Sequence, residues 1–307
     1  MLLTVKDLKA HFKHDDGIVK AVDGVSFGIR ENEVLGLVGE SGSGKTVTAL
    51  SIMRLIPRKE YVESGEIMFG RHNLLALSEK ELVKMRGSEI AMIFQEPFTS
   101  LNPVLRIGEQ VDETILAHKR VSAKEAKKES LSLLEKVKIR DPERIYDSYP
   151  HLLSGGQRQR AMIAMAVALN PKLLIADEPT TALDVTTQAE ILELILGLKK
   201  DLNMSILFIT HDFGIIRRVA DRVLVMKEGR SVEVGAKDEI LSSPRENYTK
   251  ELLAAVPRIV NSSLAGTGVR MRTRAGTGVS VWNLLTETPV PAELEGIFGT
   301  ASNSSLV

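Results

Sequence analysis

Apolar positions along this chain repeat with two different periods, and the alternation between them sets the expected architecture. Residues 2–8, 17–29 and 34–38 are short apolar or alternating runs separated by turn residues, the pattern of strands. Residues 63–69 continue it, and 89–94 (EIAMIF) is an unbroken apolar run suited to a buried strand. Helical spacing takes over at residues 44–56. It returns after Ser78-Glu79-Lys80-Glu81, where a serine followed three residues later by a glutamate forms a capping box. From about residue 95 to residue 153 strand signals fade. A second capping box, Ser122-Ala123-Lys124-Glu125, leads there into a helix with Leu131, Leu134, Val137 and Ile139 as its apolar positions. The mixed pattern then resumes with a helix over 158–169, a strand over 172–176, and a helix carrying Val185, Ala189, Leu192 and Ile195 on one face. A strand over 205–210, a helix near 213–219 and a strand over 222–226 follow. Strands that alternate with helices predict an α/β fold. Its mostly parallel sheet is covered on both faces and interrupted by a helical subdomain over about residues 95–155.

Past residue 257 the pattern dissolves. Residues 265–269 and 275–279 both read AGTGV, separated by the basic RMRTR (270–274), and the end of the chain is small and polar. Residues 1–257 are therefore expected to form one domain, and 258–307 a partly mobile tail of unknown role. Docking of Trp282, Leu284 and Leu285 on the core is the competing reading. Composition narrows the function classes. Lys+Arg and Asp+Glu both total 40, so net charge is zero, which argues against a broad electrostatic grip on nucleic acid or anionic lipid. The basic cluster His118-Lys119-Arg120 with Lys124, Lys127 and Lys128 alternates with Glu125 and Glu129, as on an exposed helix. With no cysteine, disulfides, thiolate metal sites and Cys nucleophiles are excluded. No apolar run approaches the ~20 residues of a membrane span, and the start, MLLTVKDLKAHF, shows no signal-peptide core. A soluble, cytoplasmic chain is expected, with any membrane role exercised through partners.

Three motifs carry chemistry. Gly39-Glu40-Ser41-Gly42-Ser43-Gly44-Lys45-Thr46 has the spacing of a phosphate-binding P-loop and directly follows the apolar run 34–38. Glycines let successive backbone N–H groups turn inward around an anion, and the helix that follows adds its positive dipole end. In such a loop Lys45 reaches the β- and γ-phosphates, and the Thr46 hydroxyl sits on Mg²⁺. Leu173-Leu174-Ile175-Ala176-Asp177-Glu178 is an apolar strand ending in two acids: Asp177 is suited to the Mg²⁺ shell and Glu178 to polarising an attacking water. Leu153-Ser154-Gly155-Gly156-Gln157 opens a second helix with a serine cap and two glycines, leaving N–H groups open to an anion. A chain that binds a nucleoside triphosphate is expected.

GESGSGKT, LSGGQ and LLIADE in this order resemble the nucleotide-binding subunit of an ATP-binding-cassette (ABC) transporter. Residues 94–103 (FQEPFTSLNP) and 247–253 (NYTKELL) look more narrowly like the ATPase subunits of oligopeptide, dipeptide and nickel importers. The resemblance covers about residues 1–257. It implies a P-loop NTPase fold with a mostly parallel core sheet, an N-terminal antiparallel β-subdomain and an inserted α-helical subdomain. It further implies that Gln95 is the Q-loop glutamine touching Mg²⁺ and the attacking water. Ala182-Leu183-Asp184 matches the D-loop, His211 the switch histidine at the γ-phosphate, and Phe12 the aromatic that stacks on adenine. Ser154, Gly155, Gly156 and Gln157 are implied to complete the ATP site of an opposite subunit. Catalysis would then rest on Lys45, Gln95, Glu178 and His211, and metal binding on Thr46, Gln95 and Asp177.

The partners so implied are two transmembrane permeases, a second ATP-binding subunit, identical or related, and indirectly an extracytoplasmic solute-binding protein. The chain would work at the cytoplasmic face of the membrane, energising import of oligopeptides, dipeptides or a similar solute such as a nickel chelate or oligosaccharide. Many importers of this kind carry a cysteine cluster after the ATPase domain; this chain departs from them in having none. The alternative function is a soluble ABC-type ATPase acting on DNA or ribosomes. Such proteins usually fuse two cassettes, whereas a single P-loop and a single LSGGQ occur here.

Overall fold

The computed structural model describes residues 1–14, 17–56, 61–95, 100–181 and 183–255, without the side chains of 14 and 61–63. Residues 96–99, part of the importer-like segment, Ala182 of the D-loop, and the tail from 258 to 307 thus lie outside the described residues.

The chain opens with three strands: β1 (Leu3–His14), β2 (Gly17–Ile29) and β3 (Val34–Val38). Then come α1 (Lys45–Met53), β4 (Tyr61–Phe69), the two-residue β5 (His72–Asn73), α2 (Glu79–Met85) and β6 (Ile90–Ile93). β2, β1, β4 and β5 form an antiparallel sheet in that order. β3 and β6 leave it for a second sheet, ordered β10-β9-β3-β8-β7-β6. Its other strands are β7 (Leu173–Asp177), β8 (Ser205–Thr210), β9 (Arg222–Lys227) and β10 (Arg230–Ala236). Only β10 runs antiparallel to its neighbour; the rest pair in parallel. β3, β6, β7 and β8 are buried at every position, as strands covered on both faces must be.

The stretch read as helical contains α3 (Ile107–Leu116), α4 (Ala123–Lys136) and α5 (Pro142–Tyr146). Both capping boxes form, Ser78 with Glu81 and Ser122 with Glu125. Asp112 ties α3–α5 together by accepting from Ser130 Oγ at 2.5 Å and Tyr146 Oη at 2.5 Å. Beyond them lie α6 (Gly155–Val167), α7 (Val185–Leu202), α8 (Phe213–Val219), α9 (Lys237–Ser242) and α10 (Asn247–Ala255). Among the described residues no helix is long and apolar enough to cross a membrane.

Several boundaries differ from the sequence expectation, each for a local reason. α1 stops at Met53, not residue 56, because Arg54 turns left-handed at φ 49°. α4 stops at Lys136: Val137 caps it, Lys138 reverses the chain at φ 59°, and Ile139 is buried beyond the helix. Leu133 and Leu134 are the buried leucines of α4, and Leu131 is only half-buried. Val185 is 82% exposed as the first residue of α7; Ile191, Leu192, Leu194, Ile195 and Leu198 are what that helix buries. α6 begins at Gly155 rather than residue 158, since Ser154 caps it.

Candidate functional site

Parallel pairing brings the chemistry of distant segments into one row. Val38 pairs with Thr210, Asp177 with Ile209 and Ile93 with Ala176. The carboxyl ends of β3, β8, β7 and β6 are therefore level, and Gly39, His211, Glu178 and Gln95 follow within two residues of them. Ligands of open α/β sheets bind along such an edge.

Gly39 to Thr46 join β3 to α1. Gly44 caps the helix at φ 97°, and a Cβ there would lie 2.3 Å from the Ala21 carbonyl, so only glycine fits. No side chain caps α1 and no acid sits in its first turn, which leaves its N–H groups to an incoming anion. Glu40, Ser41, Gly42 and Thr46 are exposed, whereas Ser43, Gly44 and Lys45 are buried. Lys45 Nζ curls back across the loop, donating to the carbonyls of Gly39 at 2.9 Å and Glu40 at 2.8 Å. Burial pushes its pKa down, while Glu178, Asp177 and Glu40 oppose that shift. Among the described residues the buried amine thus donates to two neutral carbonyls, which phosphate oxygens can replace.

Asp177 is 1% exposed, and its Oδ1 has no hydrogen-bond partner among the described residues. Burial raises its pKa to about 6, against the hydrogen bond from Thr46. A raised carboxyl pKa means that the folded chain binds the proton more tightly than the unfolded one. Ionisation of Asp177 therefore costs stability as pH rises from about 4 to about 6, and the full cost is present at neutral pH. Asp177→Asn is expected to stabilise the nucleotide-free chain at neutral pH by roughly 1–3 kcal/mol. Urea midpoints read the gain, which should vanish near pH 4; equal midpoints at pH 7 would mean that the carboxylate is well solvated.

Glu178 follows β7 in a left-handed conformation (φ 44°), its N–H bonded to the Ile209 carbonyl at 3.0 Å. That twist is sparsely populated for a non-glycine residue. It lets the carboxylate collect partners from neighbouring strand ends. His211 Nδ1 lies 3.1 Å from Oε1, while Gln95 Nε2 donates to Oε2 at 3.3 Å and Thr181 Oγ1 at 2.9 Å. The His211 hydrogen bond holds Glu178 below the usual carboxylate range, and the same bond raises His211. Lys45, Thr46, Asp177, Glu178, Gln95 and His211 are thus brought into one cluster. Phe12 lies on β1 opposite Val19, on the strand pair whose Ala21 abuts Gly44.

The LSGGQ segment stands apart from this cluster. Ser154 and Gln157 complete a reciprocal capping box, Ser154 N–H donating to Gln157 Oε1 at 3.0 Å and Gln157 N–H to Ser154 Oγ at 3.3 Å. A Cβ built on Gly155 would meet Leu183 at 3.4 Å, and one on Gly156 would meet Thr187 at 2.8 Å; neither has a P-loop atom within 4 Å. Asp184 of the D-loop caps α7 by accepting from Thr187 N–H at 2.9 Å. Sequence reasoning missed Thr181, a lone hydroxyl without a motif, and it missed the β9–β10 turn that lies against the P-loop.

A P-loop, a metal-suited aspartate and a glutamate poised over them on a parallel sheet define a P-loop nucleotide hydrolase. Residues 22–181 match the family described as ABC transporter, and the chain belongs to that family. It is an ATP-binding ATPase. It is 53% identical to the oligopeptide transport ATP-binding protein OppD of Bacillus subtilis over 85% of this chain and 73% of that protein. It is 50% identical to the probable peptide ABC transporter ATP-binding protein y4tR of Sinorhizobium fredii, over 84% of this chain and 77% of that one. Among solved structures, the ATP-binding cassette MJ0796, a dimer in a post-hydrolysis state bound to ADP and Pi, superposes with a TM-score of 0.68 at 30% identity. That match covers 76% of this chain and 98% of the cassette.

Proposed function

We propose that this chain is the ATP-hydrolysing subunit that energises an importer of oligopeptides, dipeptides or a similar solute. The observation that carries the reading is the convergence of Lys45, Asp177, Glu178, Gln95 and His211 at one sheet edge, with Gly155 and Gly156 of the LSGGQ segment packed near Leu183 and Thr187 and not against the P-loop. Peptide as the solute class is supported by the relatives' names. The alternative, a soluble ATPase acting on DNA or ribosomes, has no support among those relatives.

In this reading the P-loop N–H groups and Lys45 hold the β- and γ-phosphates, Phe12 stacks on adenine, and Glu178 takes the proton of the attacking water. Gln95 and His211 orient that water and sense the γ-phosphate. The unpartnered Asp177 Oδ1, with the Thr46 hydroxyl beside the same carboxylate, supplies hard oxygen donors suited to Mg²⁺, and Gln95 would join them. Mg²⁺, when bound, would neutralise charge on the phosphate oxygens. Ser154, Gly155, Gly156 and Gln157 cap the ATP of a second ATP-binding subunit, identical or related. ATP then favours the closed pair and hydrolysis releases it. Opening and closing pass to two transmembrane permeases at the cytoplasmic face, loaded from outside by a solute-binding protein.

Purification of the tagged chain from its native membranes in mild detergent tests this. Two multi-spanning permeases are expected to co-purify, with ATP hydrolysis stimulated by a peptide-loaded binding protein. Recovery of ribosomes or DNA instead would end the importer reading and leave the ATPase chemistry standing.

A further inference from the structure

The turn between β9 and β10 has no part in the phosphate chemistry, yet it lies against the P-loop at Gly39, Ser43 and Gly44. The Met226 carbonyl lies 2.3 Å from where a Cβ on Gly39 would stand. The Gly229 N–H donates to the Ser43 carbonyl at 3.1 Å, and Gly229 Cα lies 3.4 Å from the Cβ position of Gly44. Gly229 itself has φ 75°, and a Cβ on it would press against the Ala21 and Lys20 carbonyls at 2.8 and 2.9 Å. The turn is therefore wedged between the phosphate loop and β2.

Each end of the wedge is anchored from a different part of the fold. On one side Arg230 Nη2 donates to Asp23 Oδ2 at 2.8 Å, and the Asp23 N–H donates to the Gly229 carbonyl at 2.7 Å. Asp23 is only 13% exposed, lies 3.3 Å from His11 Nε2, and is held below the usual carboxylate range first by the Arg230 guanidinium. On the other side Lys227 Nζ stands 4.5 Å over the Tyr248 ring, and the Tyr248 hydroxyl accepts from the Glu40 N–H at 3.4 Å. Tyr248 belongs to α10, whose start is docked by Glu233 accepting from the Arg245 N–H at 2.8 Å and the Glu246 N–H at 3.3 Å.

We propose that the Met226–Arg230 turn is a brace that sets the P-loop for its phosphates, with Asp23 and Tyr248 as positioning residues acting on it from either side. This rests on the reading of Gly39 to Thr46 as the nucleotide loop. It gives the NYTKELL helix a task within the ATP site, and it makes the antiparallel sheet part of that site through an ion pair.

The test is nucleotide affinity and ATP hydrolysis of the full chain carrying Asp23→Asn, Arg230→Gln or Tyr248→Phe. Each is expected to raise the Kd and KM for ATP about fivefold, the worth of one net hydrogen bond, while kcat at saturating ATP stays within about twofold. Arg230→Lys should recover most of the affinity. The Asp23→Asn/Arg230→Gln double variant should lose no more than either single change, because the two act as one pair. Lys6→Gln, which removes the exposed Lys6–Glu66 ion pair of the same sheet (3.0 Å), should leave ATP affinity unchanged. Unaltered ATP affinity in all three variants, with affinity lost in Lys45→Ala, would overturn the brace and keep the nucleotide loop. Equal falls in kcat and thermal stability with additive losses would reduce these residues to scaffold and overturn the proposal too. Normal ATP binding by Lys45→Ala would remove the nucleotide loop and the brace together.

Discussion

Glu178→Gln is expected to bind ATP as tightly as the unaltered chain and to hydrolyse it about 10²–10⁴-fold more slowly. The asymmetry follows from where the carboxylate sits. Both of its oxygens face His211, Gln95 and Thr181, and the proposed phosphate grip is assigned to Lys45 and the backbone of α1. Glutamine keeps the size and can keep the Thr181 contact, but it cannot accept a proton from water. The His211 bond keeps Glu178 ionised well below neutral pH, so its base form is present throughout the physiological range. Release of Oε1 or Oε2 from these partners, when a γ-phosphate draws His211 and Gln95 away, would free the carboxylate for water. The variant should therefore collect in an ATP-bound closed pair, seen by size-exclusion chromatography with ATP and absent with ADP. Turnover within a few-fold of normal would take the base role from Glu178.

The nucleotide motifs were legible because each is contiguous and sits at a strand end with an uninterrupted apolar run before it. Val34–Val38 and Leu173–Asp177 announce both the strand and the chemistry that follows. Gln95 and His211 carry no such signal by themselves, and the family resemblance had to supply them. Their meeting at Glu178 depends on the order β3-β8-β7-β6, which apolar periodicity cannot show. β10 escaped notice because Arg230–Ala236 is an edge strand with no fully buried residue, so its sequence has no apolar run to betray it. The left-handed turns at Arg54, which ends α1, and at Lys138, just past the end of α4, were missed because neither residue is the glycine that usually marks such a turn. Contacts such as Arg230 with Asp23 join residues far apart in sequence, and local pattern is silent about those.

Mixing two inactive variants is expected to restore activity. Lys45→Ala removes the phosphate grip and Ser154→Arg obstructs the signature helix start, so each alone should hydrolyse ATP at least 10²-fold more slowly than the unaltered chain. If the signature segment serves the opposite subunit, a mixed pair holds one site with an intact P-loop and an intact signature, and one site with neither. Half the pairs in an equimolar mixture are mixed and each has one competent site, so roughly a quarter of the normal rate should return. The geometry favours this outcome over a site built within one chain. Gly155 and Gly156 face Leu183 and Thr187, with no P-loop atom within 4 Å of the positions a Cβ would take on them, while Ser154 and Gln157 are occupied with each other. In the proposed function, the anion that meets the N–H groups at the start of α6 belongs to the opposite subunit's ATP site. Cross-linking reports that mixed pairs have formed. With pairs formed and no rate restored, the signature segment would have no place in the partner's site, and the composite ATP site would fall.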